Sequence, residues 1–194
     1  MPRLATPGVY TIHIGAADGT NMIRASSIEV EDFVRLRRRP HIPNPTSFEF
    51  AEGRILLQGY DLAGSLQTLD LTLFWKSVRP VEKNWKVFVH VVDDKGQIVA
   101  QNDSFPGNGL RWTDTWKPGE YVIDKHSIAL PVVAENTEYA ILVGMYDPET
   151  GIRVPTIGSQ RGDKAVDSIR LTSFTKSDLT VHPNQANREW EDNP

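Results

Sequence analysis

The chain has 194 residues, carries 25 acidic against 21 basic side chains for a net charge of −4, and contains no cysteine. This length suits one hydrophobic core, or one core with an appendage. The charge argues against a nucleic-acid partner, which requires a basic surface, and the lack of cysteine excludes disulfides and thiolate chemistry.

Apolar residues are distributed in short runs, separated by 13 prolines and 14 glycines. No run approaches the roughly 20 apolar residues that cross a bilayer as a helix. The first residues also lack the charged start and apolar segment of a signal peptide. The pattern indicates many strands and turns, and we expect no direct membrane insertion.

Four regions follow one another along the chain. Residues 1–34 contain two alternating apolar and polar segments, 8–15 and 22–33, which are predicted as strands. A prediction of linker structure covers residues 35–47, which hold three prolines and no periodicity. The main domain is predicted over residues 48–175, and residues 176–194 are predicted to form a polar tail.

Short alternating or continuously apolar segments predict a series of strands within the main domain. Residues 61–65 are predicted as a loop after the first of these strands. We predict an all-β fold, an antiparallel β-sandwich of jelly-roll or immunoglobulin-like type. The predicted strands are residues 54–60, 69–76, 85–92, 97–103, 120–130, 139–146 and 168–174.

The strongest single signal is a β-hairpin that turns at residues 93–96. Its register depends on the turn, and two alternatives are open. A two-residue loop would place His90 opposite Gln101, whereas a three-residue loop with a glycine bulge would place it opposite Ala100.

An internal similarity links the first region to the last strands. Tyr10, Ile12, Gly15, Asp18, Ile23 and Arg24 align with Tyr139, Ile141, Gly144, Asp147, Ile152 and Arg153 at a constant offset. After an insertion, Ser27, Ile28 and Phe33 align with Ser168, Ile169 and Phe174. We interpret residues 1–34 as the closing strands of a preceding related unit or as a docked hairpin.

A candidate ligand site lies on the glycine-rich loop after the hairpin. Trp112 and Trp116 could stack on sugar rings, and Arg111 and Asp114 could orient hydroxyl groups. Packing of the same aromatic side chains against the core is the alternative.

His90, Gln101 and Asp103 lie on the two arms of the hairpin and complete the candidate set. A His–Asp pair can transfer protons or bind a metal, but it can equally form a hydrogen-bonded cluster that fixes the neighbouring loop. The chain contains no nucleophile elbow, phosphate loop, zinc-binding HExxH or dinucleotide fingerprint. We therefore predict no catalytic residues, no metal site and no cofactor.

Several segments taken together resemble a module of Chloroflexi-type bacterial proteins. These segments are LTLFWKSVRPVEKNWKVFVHVVD, KGQIVAQNDSFPGNG, TWKPGEYVIDKHSIALP and YAILVGMYDPETGIRVP. In such proteins the module is the soluble C-terminal domain behind a membrane glycosyltransferase-like region. The resemblance implies a β-sandwich accessory domain on the extracytoplasmic side of the cell envelope, with the neighbouring domains of a longer parent chain as partners.

These observations favour a non-catalytic accessory domain that binds carbohydrate or an envelope polymer. The alternative is a structural or protein-interaction module without a small ligand. An enzyme that processes glycosides is the third reading, because pairs of carboxylates cannot be evaluated without geometry.

Overall fold

The computed structural model describes residues 8–14, 23–30, 35–131, 137–158 and 165–180. The chain divides into two compact units, Met1–Arg35 and Leu36–Pro194. In the first unit, β1 (Gly8–Ile14) and β2 (Ile23–Val30) form an antiparallel pair. Side-chain positions in this pair lie largely outside the described residues.

The second unit is an antiparallel β-sandwich, which confirms the predicted fold class. Its five-stranded sheet has the order β10-β3-β4-β5-β8, and its four-stranded sheet has the order β11-β9-β6-β7. The strands are β3 (Asn44–Phe50), β4 (Ile55–Gly64), β5 (Thr68–Ser77), β6 (Lys86–Val92), β7 (Ile98–Ser104), β8 (Tyr121–Ala129), β9 (Glu138–Tyr146), β10 (Thr156–Gly158) and β11 (Ile169–Thr175).

Strict alternation along the strands produces the core between the two sheets. On β5, Leu69, Leu71, Leu73 and Trp75 are no more than 1% exposed, and they meet valines from β6 in one cluster. Phe74 points to the opposite side of β5 and is also fully buried, as expected for a strand whose outer face is partly covered.

The hairpin of β6 and β7 combines features of both predicted registers. Its loop has three residues, because Asp93 N donates to Gln97 O at 3.0 Å and Gly96 adopts a left-handed φ of 75°. Val99 is then skipped in the pairing, since Val92 lies opposite Ile98 but Val91 lies opposite Ala100. This bulge brings His90 opposite Gln101 even though the loop has three residues.

Three predicted boundaries differ from the structure. The loop predicted at residues 61–65 is wrong, because β4 continues to Gly64 and pairs with β5. The turn instead begins at Ser65, whose Oγ accepts hydrogen bonds from the N–H groups of Gln67 and Thr68. The end of the predicted linker also belongs to the sandwich, since β3 begins at Asn44.

The third difference lies at the predicted tail, where a short helix follows β11 directly. Helix α1 (Lys176–Thr180) buries Leu179 to 3% exposure in the core. Lys176 is likewise buried, and its Nζ donates to the carbonyl oxygen of Pro131. The remainder of the predicted tail, residues 181–194, lies outside the described residues.

The internal similarity does not extend to strand register. Tyr10 lies opposite Ile28 in the first unit. The aligned residue Tyr139 lies opposite Phe174, whereas Ile169, which aligns with Ile28, lies opposite Val143. Both pairs are antiparallel, but the partner residues are offset, so the repeat stays a prediction.

Candidate functional site

The loop predicted to bind a ligand places its second tryptophan inside the protein. Trp116 is 2% exposed and belongs to the core cluster. Its Nε1 donates to the carbonyl oxygen of Arg111 at 3.0 Å. The expectation that Trp116 stacks on a ligand is therefore corrected, because its side chain is buried in the core cluster.

Trp112 is half-buried on the same loop. Its Nε1 donates to the Gly109 carbonyl oxygen at 3.0 Å, and its ring centroid lies 5.9 Å from that of Phe105. Both its polar edge and part of its ring are thus occupied within the loop. This arrangement stabilises the loop and leaves Trp112 little surface for a ligand.

Arg111 and Asp114 are also turned towards the protein. The Arg111 guanidinium forms an ion pair with Glu120, whose side chain is fully buried and also accepts the N–H of Lys117 at 2.9 Å. Asp114 lies in a 3₁₀ turn, Thr113–Thr115, and is partly buried. The two residues therefore contribute to the shape of the loop rather than to an open polar surface.

A buried polar network fixes the loop to the sandwich. Asp124 is fully buried, and its carboxylate accepts Gly107 N at 2.8 Å and Trp75 Nε1 at 3.2 Å. His126 contacts Asp124 Oδ2 at 2.9 Å through Nε2, and Asn102 Oδ1 at 2.8 Å through Nδ1. We call these five residues the Asp124 network; it joins the loop to β5, β7 and β8.

Thr113 provides a second attachment for the loop. Its hydroxyl donates to Lys83 O at 2.7 Å and accepts Trp85 N at 2.9 Å, while its own N–H donates to Asn84 Oδ1 at 3.1 Å. The loop is thereby tied to the connection that precedes β6. The sequence had pointed to His90, Gln101 and Asp103 for this role.

His90, Gln101 and Asp103 lie instead on the outer face of the four-stranded sheet. His90 Nε2 is 3.6 Å from Asp103 Oδ1, and Gln101 is exposed opposite His90. Burial lowers the pKa of His90, against the opposing effect of the Asp103 carboxylate. Burial, followed by the charge of Asp103, raises the pKa of Tyr146.

An aromatic group lies beneath this polar pair. The Phe88 ring centroid is 4.7 Å from that of His90 and 6.4 Å from that of Tyr146. The Arg153 guanidinium lies over the Phe88 ring at 4.6 Å from its centroid. His90 and Asp103 therefore belong to a packed surface cluster, in which the Arg153 guanidinium lies over the Phe88 ring.

A cleft of about 480 Å³ opens at one end of the sandwich. Three connections line it: residues 51–54 between β3 and β4, residues 78–85 between β5 and β6, and residues 147–155 between β9 and β10. We call it the end cleft. Its charged and larger apolar lining residues are Glu52, Arg54, Glu82, Lys83, Asp147, Arg153, Trp85 and Ile152.

The end cleft combines apolar surface with charged groups. Trp85 is half-buried against the core, whereas Ile152 is 69% exposed. Lys83 Nζ donates to Asp147 Oδ2 at 2.8 Å across the cleft, which lowers the pKa of Asp147 and raises that of Lys83. An aromatic and an aliphatic surface beside fixed polar groups suit a ligand with both apolar faces and hydroxyl groups.

One wall of the cleft has an uncommon backbone. Ala51, Glu52 and Gly53 all have left-handed φ values, of 52°, 56° and 73°. Two of them carry a Cβ, for which this conformation costs on the order of 1 kcal/mol each or more. The hydrogen bond from Arg79 Nη2 to Glu52 O helps to hold the turn in this conformation beside the cleft.

Sequence reasoning did not find the end cleft, because its residues come from three turns that are far apart in the chain. The Asp124 network, in contrast, could have been predicted from the alternation of residues along β8. Asp124 and His126 occupy the same alternating positions of β8 as the buried Val122 and Ile128, so their side chains had to face inward. Polar residues at such positions require hydrogen-bond partners.

A metal-binding cluster and a membrane-spanning helix are both absent from the described part of the chain. No group of three or more His, Asp or Glu side chains there is arranged to hold a metal ion. No helix among the same residues has the length and apolar character needed to cross a membrane.

Comparisons with known proteins complete the description. No family model and no curated protein matches the chain. It is similar to a β-glucuronidase from glycoside hydrolase family 2, at 13% identity and a TM-score of 0.37, over 56% of this chain and 11% of the other. A family 2 member from Bacteroides cellulosilyticus is similar at 11% identity and a TM-score of 0.37, over 64% and 14%.

The chain thus spans only a small part of each of these enzymes. Similarity of this strength assigns no family and no activity to the chain. The β-sandwich rests on the chain's own strands, sheets and core.

Proposed function

We propose that this β-sandwich is a non-catalytic accessory domain that binds carbohydrate in the end cleft. The observation that carries the proposal is the cleft itself, in which Trp85 and Ile152 lie beside six charged side chains. Its volume of about 480 Å³ falls within the range of small-molecule sites. The proposed site is therefore the end cleft rather than the Trp112 loop.

The proposed recognition has two parts. Trp85 and Ile152 supply apolar surface against which the C–H face of a sugar ring can pack. Arg54 and the Lys83–Asp147 pair supply donors and acceptors that are held in place before a ligand arrives, since Arg54 Nη1 donates to Pro80 O at 2.9 Å. Preorganised polar groups reduce the entropy lost on binding.

A glycan array followed by isothermal titration calorimetry tests the proposal. Ile152→Ser removes exposed apolar surface from the cleft and should weaken binding several-fold without affecting the fold. The matched control is Leu110→Ser, because Leu110 is 52% exposed on the Trp112 loop. Equal loss in both variants, or no glycan binding by the unmodified protein, would count against the end cleft.

The second candidate function is a structural or protein-interaction module without a small ligand. The burial of Trp116 and the internal hydrogen bond of Trp112 favour it, because they remove the aromatic surface expected on the loop. Absence of binding to every arrayed glycan, with a stably folded protein, would favour this candidate.

We also propose the cellular context that the sequence motifs imply. In this proposal the domain belongs to a longer envelope protein, faces the extracytoplasmic side and has neighbouring domains of that chain as partners. The observation that tests it is the complete reading frame of the gene. A membrane-spanning region upstream of this domain is expected, and a frame without one would contradict the proposal.

A further inference from the structure

The charges in the end cleft are balanced in number but unequal in availability. Three carboxylates and three basic groups line it. Lys83 and Asp147 neutralise each other at 2.8 Å, and Asp147 Oδ1 also accepts the N–H of Glu149 at 3.0 Å. This pair presents a dipole to a ligand rather than a net charge.

Arg153 is the second basic group whose charge is already matched. Its Nη1 lies 3.1 Å from Asp167 Oδ2, and its guanidinium covers the Phe88 ring. Both contacts direct Arg153 towards the outer face of the four-stranded sheet. The positive charge of Arg153 therefore contributes little to the potential inside the cleft. Arg54 is the remaining basic group, and its charge is not neutralised by its bond partner, because Nη1 donates to the uncharged carbonyl oxygen of Pro80.

Glu52 and Glu82 differ from the other charged groups of the cleft. Both are exposed, and neither carboxylate has a hydrogen bond or an ion pair with any described residue. They lie on separate connections, between β3 and β4 and between β5 and β6. The left-handed turn at residues 51–53 determines the backbone position from which the Glu52 side chain extends.

The uncompensated charges in the cleft are thus two carboxylates against one guanidinium. We infer that the end cleft selects uncharged glycans over glycans that contain uronic acids, and that Glu52 and Glu82 impose this selection. The inference rests on the proposed carbohydrate binding at the same site. It identifies the ligand class as neutral saccharides, whose hydroxyl groups can donate hydrogen bonds to both free carboxylates.

Electrostatic repulsion sets the size of the effect. A uronate in the cleft would bring a third carboxylate near Glu52 and Glu82 in a solvent-exposed setting. For repulsion from two carboxylates in this solvent-exposed setting, we expect a penalty equivalent to roughly a tenfold loss of affinity. The penalty should shrink as salt increases, because the screening length falls to about 3 Å at 1 M ionic strength.

The test compares tetrasaccharides that differ only at C6, where the uronates carry a carboxylate in place of the hydroxymethyl group. Titration calorimetry would use β-1,4-glucan, β-1,4-mannan and α-1,4-galactan tetramers beside the corresponding glucuronate, mannuronate and galacturonate tetramers. The unmodified protein should bind at least one neutral tetramer, and should bind its uronate counterpart about tenfold more weakly. In Glu52→Gln/Glu82→Gln the carboxylates become uncharged amides that still accept hydrogen bonds, so the ratio of neutral to uronate affinity should fall from about tenfold to about threefold or less, whatever the change in neutral affinity.

Glu138→Gln is the matched control, since Glu138 is exposed at the other end of β9 and does not line the cleft. It should leave the discrimination unchanged. A salt titration of the unmodified protein gives an independent readout that needs no variant. Uronate binding equal to neutral binding, or discrimination unchanged in the double variant, would overturn the inference and leave carbohydrate binding standing. No binding of any tetramer would overturn the proposed function and the inference together.

Discussion

At the scale of single residues, the buried Asp124 carboxylate connects several parts of the sandwich. It accepts hydrogen bonds from Trp75 on β5 and from Gly107 in the loop, and it contacts His126, which in turn contacts Asn102 on β7. The Asp124 side chain that makes these contacts is 0% exposed. Removing the carboxylate would leave buried donors without an acceptor.

Asp124→Ala should therefore destabilise the domain by about 3 kcal/mol or more, because each orphaned buried group costs about 1–3 kcal/mol. Urea unfolding followed by tryptophan fluorescence measures the loss. Asp70→Ala is the control, since Asp70 is exposed and accepts the Ser127 hydroxyl at 2.7 Å, and it should change stability by less than about 0.5 kcal/mol. Similar losses in both variants would contradict the role of the network.

The register of the hairpin formed by β6 and β7 could be narrowed to two alternatives from sequence, but the sequence could not decide between them. The turn at Asp93–Gly96 allowed His90 to lie opposite Gln101 or Ala100. The observed pairing with Gln101 depends on the bulge at Val99, and the local sequence does not decide it, because Ile98, Val99 and Ala100 are all apolar and suit either register. A bulge is selected by packing of the whole strand on the core, which is a tertiary effect.

At the scale of elements, the outer face of the four-stranded sheet predicts a pH response. Asp103 on β7, Tyr146 on β9 and Arg153 after β9 surround His90. Burial keeps the folded-state pKa of His90 below its ordinary value of 6.5. As pH falls below about 6.5 the unfolded chain therefore binds a proton before the folded chain does, and stability should decline.

Urea midpoints between pH 8 and pH 5.5 measure this response, in a window where most carboxylates stay ionised. His90→Gln should flatten the decline, because its side chain does not titrate. Gln101→Ala, at the exposed position opposite His90, should keep the slope of the unmodified protein. A slope that is unchanged in His90→Gln would contradict the assignment to His90.

Helix α1 was not predicted, because the composition of its residues is that of a polar tail. Residues 176–180 read as polar, yet Leu179 is 3% exposed in the core. Leu179→Ala should cost about 2–4 kcal/mol through lost burial and the remaining cavity. Leu66→Ala is the matched control, because Leu66 is 39% exposed; thermal unfolding of the two variants should separate them clearly, and equal midpoints would contradict the packing.

Elements were predictable where their own residues carried the signal. β5 alternates through most of its ten residues and β9 is an almost continuous apolar run of nine, so each was found close to its observed limits. β10 was missed, since it has three residues and pairs with the distant β3 through Thr156 opposite Phe50. A short strand of this kind is defined by its partner rather than by its own pattern.

At the scale of the whole molecule, the end cleft illustrates what strand prediction cannot provide. Each of its three connections was recognisable as a turn or a loop. Their meeting at one end of the sandwich follows from the strand order of both sheets, which local periodicity does not encode. The candidate site from sequence was therefore placed on the loop with the most aromatic residues, and those residues proved to be part of the packing.

The division of the chain after Arg35 leads to the last prediction. The residues of the described core all follow position 49, and Leu36, at the start of the second unit, accepts a hydrogen bond from Tyr121 N through its carbonyl oxygen at 2.8 Å. A chain that begins at Arg35 should therefore fold and unfold cooperatively in urea with the circular dichroism of a β-sandwich. An isolated two-stranded pair is marginal in water, so a peptide of residues 1–34 should show no cooperative transition. Aggregation of the longer fragment with no folded signal, or a cooperative transition in the short one, would mean that the two units do not divide the stability in this way.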